Sequence, residues 1–294
     1  MSAQSGPMQS RIGDVRVPPL RGGGRRRAMA LGLATRLALL IVIVAFAAPF
    51  LLLVATSLDA ARNTAWPWPA EPTLEHFRTM FDRQGLETAL KNSVIVSVCT
   101  MLLAVPAASL AGYGLSRLTY RRKVWIAYGI LLLTAIPLSA TMVPIYDLTR
   151  RLDLENTYTG LVLTHLAISL PLLVWLMKGY FDAIPLSQEE AAWTDGASIF
   201  RAWRQIVLPQ TLSGIAVVAG FALANAWAEV LMVVILITDQ TKETLPFQFF
   251  VAADRGGGDQ VTAALGVLYV MPVLVVFLVL RREMIRGLVE ATPV

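Results

Sequence analysis

Few side chains of this sequence are spaced for catalysis or metal binding. The two histidines, His76 and His165, are far apart, and neither has a second metal ligand at helical spacing. Glu229 is the one acidic residue deep inside an apolar stretch, where an ionisable group is costly and needs a polar cavity or a partner. Asn225 would share a helical face with Glu229, and Trp227 offers a flat apolar surface on which a ring could stack. These three residues predict a polar path for a solute, and plain helix packing is the alternative for each.

The sequence contains no motif that would indicate a nucleotide or cofactor site. No G-x-x-x-x-G-K-S/T motif is present, and the glycine-rich segments 22–24 and 254–259 lack the neighbours of a phosphate-binding loop. Cys99 is the single cysteine, so no intramolecular disulfide can form, and its apolar surroundings predict a buried thiol. We therefore expect no catalytic residue, no metal site and no cofactor bound by this chain.

Composition indicates an integral membrane protein. Of the 294 residues, 56% are apolar and only 15% are charged, and the mean hydropathy is +0.61. The net charge of +5 is not gathered into a basic patch interleaved with aromatic residues, which argues against nucleic-acid binding. Basic residues lie instead beside apolar runs, so lipid is the expected surrounding.

Six apolar stretches are long enough to cross a hydrocarbon core of about 30 Å as helices. They are residues 37–54, 93–115, 124–143, 160–177, 214–238 and 261–280. Several contain proline, which membrane helices tolerate when neighbouring helices satisfy the freed backbone groups. The sequence predicts an all-α polytopic fold, with a transmembrane domain over residues 35–288 and a short tail at 289–294.

Basic residues set the orientation of these helices. Most Lys and Arg residues fall on one side if the N-terminus is cytoplasmic, which places both termini inside by the positive-inside rule. Residues 1–34 are rich in Gly, Pro and Arg and are predicted to form a disordered basic tail. The tail could instead begin a signal peptide, but the 18-residue apolar run that follows favours an uncleaved first membrane helix.

Residues 185–209 form the longest amphipathic segment between two apolar ones. Ser187 and Glu190 stand in the S-x-x-E relation of a capping box, which predicts a helix start. Asp195 and Gly196 predict that this helix ends in a turn with positive φ. A helix of this kind could simply lie on lipid headgroups.

A second helix is predicted to begin at a Ser198 cap and to stop at Pro209. Its apolar residues share one face, opposite Arg201 and Arg204. They are Ile199, Phe200, Trp203, Ile206 and Val207.

The same segment resembles the EAA motif of permease subunits of bacterial ABC importers. The matching residues are Glu190, Ala191, Ala192, Asp195, Gly196, Ala197, Ile206, Leu208 and Pro209. Further similarity to carbohydrate-uptake permeases, in particular to the second permease of maltose-type importers, covers residues 66–69, 74–77, 92–93, 111–117, 144–146, 154–161, 171–177 and 179–185.

The resemblance implies a type I ABC importer permease in the bacterial inner membrane. In that family the 185–209 segment is the cytoplasmic coupling helix, which docks on an ATP-hydrolysing subunit. The implied partners are a second, different permease, two ATPase subunits that bind ATP and Mg, and an extracytoplasmic binding protein that delivers a sugar. Transport would proceed by alternating access.

Three alternatives remain open. A non-sugar solute such as glycerol-3-phosphate or a polyol would fit the same architecture. A secondary transporter would need charged relays in several membrane helices, and only Glu229 is present. A membrane-embedded enzyme would need a cluster of nucleophile, base or metal ligands.

Overall fold

The structure is a computed structural model that describes residues 23–60, 69, 71–83, 85–119, 123–254 and 259–290. The chain divides into two compact units, residues 1–51 and residues 52–294. The α-helices are α1 (Gly23–Leu58), α2 (Glu75–Phe81), α3 (Leu86–Arg117), α4 (Lys123–Leu132), α5 (Leu138–Arg151), α6 (Tyr158–Asp182), α7 (Ser187–Thr194), α8 (Ile199–Ala202), α9 (Leu208–Gln210), α10 (Leu212–Ala228), α11 (Leu231–Leu236), α12 (Leu245–Asp254) and α13 (Asp259–Glu290). Short 3₁₀ turns cover Leu133–Ala135 and Gln240–Lys242, and Trp203–Val207 is a π-helical turn.

Four helices in the described residues are long and apolar enough to cross a membrane, and up to six spans result if each of two bent pairs counts as one. The four lie at Gly32–Leu58, Leu86–Arg117, Tyr158–Asp182 and Gln260–Glu283. They confirm the first, second, fourth and sixth predicted spans. The all-α polytopic fold predicted from the sequence is therefore confirmed.

The third predicted span is not one continuous helix. The pair Val124–Ala135 and Leu138–Arg151 is bent by 93°. Pro137 causes the break, because the residue before a proline is pushed out of the helical region and Ile136 accordingly has φ −71° and ψ 120°. The prediction of an unbroken helix over 124–143 was wrong.

The fifth predicted span is also interrupted. Helix α10 ends at Ala228, Glu229 has an extended backbone at φ −79° and ψ 128°, and α11 begins at Leu231. The prediction of one helix over 214–238 was wrong. Since the helix ends before Glu229, the predicted shared helical face of Asn225 and Glu229 was wrong as well.

Small residues bring α3, α6 and α10 together in the second unit. Ala104 and Ala108 of α3 and Ala222 of α10 are fully buried against Leu173 and Met177 of α6. Alanine at these positions of α3 and α10 lets the helix backbones approach closely, as is common between membrane helices. These three helices therefore share one buried apolar cluster.

Cys99 does not belong to this core. It is exposed on α3, among exposed apolar residues such as Leu102 and Leu103. In a membrane helix the outward side is apolar too, so an apolar neighbourhood in the sequence does not imply burial. The prediction of a buried thiol was wrong.

The chain ends differ in part from the sequence prediction. Helix α1 begins at Gly23, within the segment 1–34 predicted as disordered, and α13 continues to Glu290, into the predicted tail 289–294. Residues 1–22, 61–68, 70, 84, 120–122, 255–258 and 291–294 lie outside the described part.

Candidate functional site

The first helix of the 185–209 segment ends as the sequence predicts. Gly196 has φ +86°, its N–H donates to the Trp193 carbonyl at 3.0 Å, and the Ala197 N–H donates to the Ala192 carbonyl at 2.9 Å. This pair of bonds is a Schellman motif, which closes a helix through a left-handed residue. The predicted turn at Asp195 and Gly196 is confirmed.

The predicted capping box at the start of that helix is not formed. Leu186 already has helical backbone angles, so Ser187 lies inside the helix and its hydroxyl makes no cap. The Glu189 and Glu190 N–H groups donate to the Leu186 carbonyl instead. Because the chain enters the helix one residue early, the side chain of Glu190 is exposed and caps nothing.

The second helix begins at the predicted residue and runs past its predicted end. The Ser198 hydroxyl accepts from the Arg201 N–H at 3.3 Å, which confirms the cap. Pro209 lies inside the last turn, and the helix ends at Gln210, so the prediction that Pro209 stops it was wrong. The π-helical turn Trp203–Val207, closed by the Leu208 N–H on the Trp203 carbonyl, precedes this proline. A bend of 78° between Ile199–Gln210 and Leu212–Ala228 then leads into α10.

The predicted apolar face of this second helix is split. Val207 is buried and Trp203 and Ile206 are half-buried, whereas Ile199 and Phe200 are 64% and 61% exposed. Exposed apolar side chains therefore lie close to the Gly196 turn. Of the remaining motif residues, Ala191, Asp195, Gly196 and Pro209 are exposed, and Ala192, Ala197 and Leu208 are half-buried.

A buried acidic residue that sequence reasoning missed ties this segment to the membrane helices. The side chain of Glu189 is fully buried, and its Oε1 accepts from the Arg117 Nε at 2.6 Å. The Tyr113 hydroxyl donates to Oε2 of the same carboxylate. The only signal in the sequence was the doubled glutamate before Ala191, and periodicity could not decide which glutamate faces inward.

Arg117, the last residue of α3, uses each of its nitrogens at this junction. Nη1 donates to the Ser116 hydroxyl at 3.1 Å and Nη2 to the Ile184 carbonyl at 3.2 Å. The Ser116 hydroxyl donates in turn to Asp182 at 2.6 Å. The guanidinium therefore joins the end of α3, the end of α6 and the start of α7.

A second polar cluster lies at the opposite end of α3. The Asn92 amide donates to the carbonyls of Thr241 and Glu243 at 2.9 and 2.8 Å, and its oxygen accepts from the Tyr158 hydroxyl at 2.8 Å. The Ser93 hydroxyl accepts from the Leu245 N–H at 2.8 Å. Residues 92 and 117 are about 37 Å apart along a helix that rises 1.5 Å per residue, which exceeds a hydrocarbon core of about 30 Å.

Asn156, two residues before the start of α6, holds the same segment. Its side-chain oxygen accepts from the N–H groups of Thr238 and Asp239 at 3.2 and 3.1 Å, and its carbonyl accepts from Lys242 Nζ at 2.9 Å. The pKa of the Asp239 carboxyl lies below its ordinary value because the hydroxyl and N–H of Thr241 donate to it, with a smaller effect from Lys242. We call the contacts of Asn92 and Asn156 with residues 238–245 the polar clamp.

The three residues predicted to line a solute path have different environments. Trp227 is only 2% exposed and its indole N–H donates to the Tyr269 carbonyl at 2.9 Å, so its ring packs against α13 and is not free to stack on a sugar. Asn225 is exposed and donates to the Phe221 carbonyl. Glu229 lies at the break between α10 and α11, half-buried.

The Glu229 carboxylate caps the second half of the interrupted span. Its two oxygens accept from the N–H groups of Leu231 and Met232 at 2.8 and 2.9 Å. These are the first unpaired donors of α11, and a carboxylate is favoured at that end of a helix. A partner for this acidic residue is thus supplied by the backbone.

The described residues contain no cluster of His, Cys, Asp and Glu that could hold a metal ion. His165 is buried in α6, and the ring of His76 lies 3.0 Å from the Asp59 carbonyl.

Residues 89–287 match the family described as binding-protein-dependent transport system inner membrane component. The chain belongs to this family. Among its relatives, a putative ABC transporter permease protein, ORF2, of Caldicellulosiruptor sp. (strain Rt8B.4) is 29% identical over 82% of this chain and 89% of its own length. The diacetylchitobiose uptake system permease protein DasC of Streptomyces coelicolor is 28% identical over 78% of this chain and 83% of its own length.

A solved structure has the same fold. It is a chain of a bacterial ABC transporter involved in the import of the acidic polysaccharide alginate, with a TM-score of 0.73 and 18% identity, covering 88% of this chain and 98% of that one. The predicted identity as an ABC importer permease is confirmed by the family match and the fold. The protein is a transport subunit that crosses the inner membrane several times.

Proposed function

We propose that this permease carries a sugar across the bacterial inner membrane, powered by ATP that two partner subunits hydrolyse with Mg. A second, different permease would complete the membrane part, and an extracytoplasmic binding protein would deliver the solute. The relative DasC, named as a diacetylchitobiose uptake permease, supports a sugar as the transported solute. ATP and Mg would bind to the partners, consistent with a sequence that has no nucleotide-binding motif.

The observation that carries the proposal is the construction of the 185–209 segment. It presents exposed Glu190, Ala191 and Gly196 together with exposed Ile199 and Phe200, while the buried Glu189 attaches it to the end of α3. An exposed surface of this mixed kind suits docking on another protein. We assign it to the cytoplasmic side and to the ATPase subunits, with both termini of the chain on that side.

Energy coupling would then be mechanical. Closure of the ATPase subunits on ATP would move the 185–209 segment as a rigid unit, and the bend into α10 would carry the motion to the membrane helices. ATP and the loaded binding protein would favour the same outward-facing state, which is what makes hydrolysis depend on solute.

The solute path would pass the interruption between α10 and α11. Asn225 and Glu229 provide polar groups there that are not fully buried, and interrupted membrane helices mark solute sites in many transporters. Trp227 takes no part in this proposal because its ring is buried.

The test is the ATPase activity of the complete complex in lipid nanodiscs. The chain is co-expressed with the permease and ATPase encoded beside it, and neutral sugars, acidic sugars and polyols are each added with the cognate binding protein. Stimulation by a sugar supports the proposal. Stimulation by a polyol alone would correct the solute class, and uptake that persists without any ATPase would overturn the proposal.

A further inference from the structure

The attachment of α7 to the membrane helices depends on one side chain. Glu189 is the only residue of α7 that is buried, whereas its neighbours Gln188 and Glu190 are exposed. Gln188 accepts from the Gln210 amide at 2.7 Å, but that bond stays within the 185–211 region. The Glu189 carboxylate is therefore the polar group that reaches from α7 to α3.

Separating the Glu189 carboxylate from Arg117 is costly in free energy. A buried carboxylate that loses its cationic partner remains as an uncompensated charge, which is strongly unfavourable. Arg117 in turn donates to three acceptors, Glu189, Ser116 and the Ile184 carbonyl, one from each side-chain nitrogen. A lysine has no planar fork and could not reproduce this geometry.

Tyr113 connects the ion pair to aromatic rings of α6 and of the second helix of the segment. The Tyr113 hydroxyl donates to Glu189, and the Arg117 guanidinium carbon lies 5.8 Å from the centre of the Tyr113 ring. The same ring is 5.6 Å from that of Phe181 and 6.2 Å from that of Trp203, in the π-helical turn. One cluster thus touches α3, α6, α7 and the turn that follows α8.

We propose that Glu189, Arg117 and Tyr113 are positioning residues that fix the angle between α7 and the end of α3. Movement of the 185–209 segment is then transmitted to the membrane helices, which would not follow it if the contact were flexible. The inference rests on the proposed function. It assigns to Glu189, rather than to the adjacent Glu190, the task of holding the segment in place.

The test compares variants in the complete complex, with solute transported per ATP hydrolysed as the readout. Glu189→Gln and Arg117→Lys are expected to lower this ratio by about tenfold, which lies within the usual range of coupling between two sites. Tyr113→Phe is expected to lower it less. The matched control is Glu87→Gln, which removes an exposed ion pair with Lys91 on the same helix α3 and should leave the ratio unchanged.

A double variant separates positioning from simple stability. Arg117→Gln combined with Glu189→Gln leaves no buried charge, so the amount of assembled complex should recover relative to either single variant. The transport ratio should stay low, because the planar ion pair is still missing. Recovery of both quantities, or a normal ratio in Glu189→Gln and Arg117→Lys, would overturn the inference. A wild-type complex without solute-stimulated ATPase would instead overturn the proposed function.

Discussion

Gly112 of α3 lies so close to Met177 of α6 that a Cβ added at Gly112 would stand 2.8 Å from the Met177 Cβ. It would also stand 2.9 Å from the backbone nitrogen of Lys178. Backbone atoms cannot give way as a flexible side chain can, so only glycine allows the two helices this approach. Gly114 lies two residues further along α3. A Cβ added there would meet no atom within 4 Å outside the neighbouring backbone of its own helix.

We expect Gly112→Ala to destabilise the protein by about 1–3 kcal/mol, the usual cost of forcing an atom into a packed interface. Gly114→Ala should have little effect or be slightly stabilising, because alanine favours a helix more than glycine does. The measurement is the thermal unfolding of the purified permease complex in detergent. Equal melting temperatures for the two variants would contradict the close packing described here.

The Gly196 turn should tolerate some residues and not others. A Cβ at Gly196 would meet no atom within 4 Å, so any effect must come from its φ of +86°. Gly196→Val introduces a β-branched side chain, which should strain the turn by about 1–3 kcal/mol and lower the amount of solute transported per ATP hydrolysed. Gly196→Asn should retain most coupling, because Asn tolerates positive φ. Solute uptake and ATPase rate in proteoliposomes check this, and an Asn variant as uncoupled as Val would show that size rather than backbone angle matters.

Loss of the polar clamp should loosen residues 238–245. Asn156→Ala removes the acceptor for the N–H groups of Thr238 and Asp239, at a cost of about 0.5–1.5 kcal/mol for each hydrogen bond lost. We expect faster hydrogen–deuterium exchange across this segment and no change in α7. Thr159→Ala, at an exposed position nearby on α6, is the control. Unchanged exchange in Asn156→Ala would mean that other contacts hold the segment.

Glu229 should be required for the helix that follows the break. Glu229→Ala removes the acceptor for the N–H groups of Leu231 and Met232, and loss of a helix cap costs about 0.5–2 kcal/mol. Glu229→Gln keeps one side-chain acceptor and should be less destabilising. If Glu229 also lines the solute path, the Gln variant should reduce uptake more than it reduces stability. Parallel losses in both measurements would indicate a cap alone.

Within residues 185–209, residue type predicted the Gly196 turn and the Ser198 cap correctly, but not a cap at Ser187 or a helix end at Pro209. Gly196 was predicted to adopt a positive φ and Ser198 to cap the second helix, and both predictions are confirmed. The choice between Glu189 and Glu190 could not be made, because it depends on where Arg117 lies, and those residues are far apart in the sequence.

The interruptions of the membrane helices were harder to predict for a different reason. Apolar length identifies a span but does not show whether it is continuous. Pro137 was visible in the sequence, yet the prolines at 106, 144, 171 and 272 lie inside helices, so proline alone does not decide. The break at Glu229 involves no proline, and its stability comes from a carboxylate that returns to its own backbone.

The polar clamp also constrains the order in which the chain can mature. Asn92 bonds to the carbonyl of Thr241, 149 residues further along the chain. During synthesis this end of α3 therefore emerges long before its partner exists, and the Asn92 amide must be hydrated or paired elsewhere until residues 238–245 arrive. The final packing of the second predicted span is thus a late event, and a chain truncated before Thr241 would lack both carbonyls to which the Asn92 amide nitrogen donates.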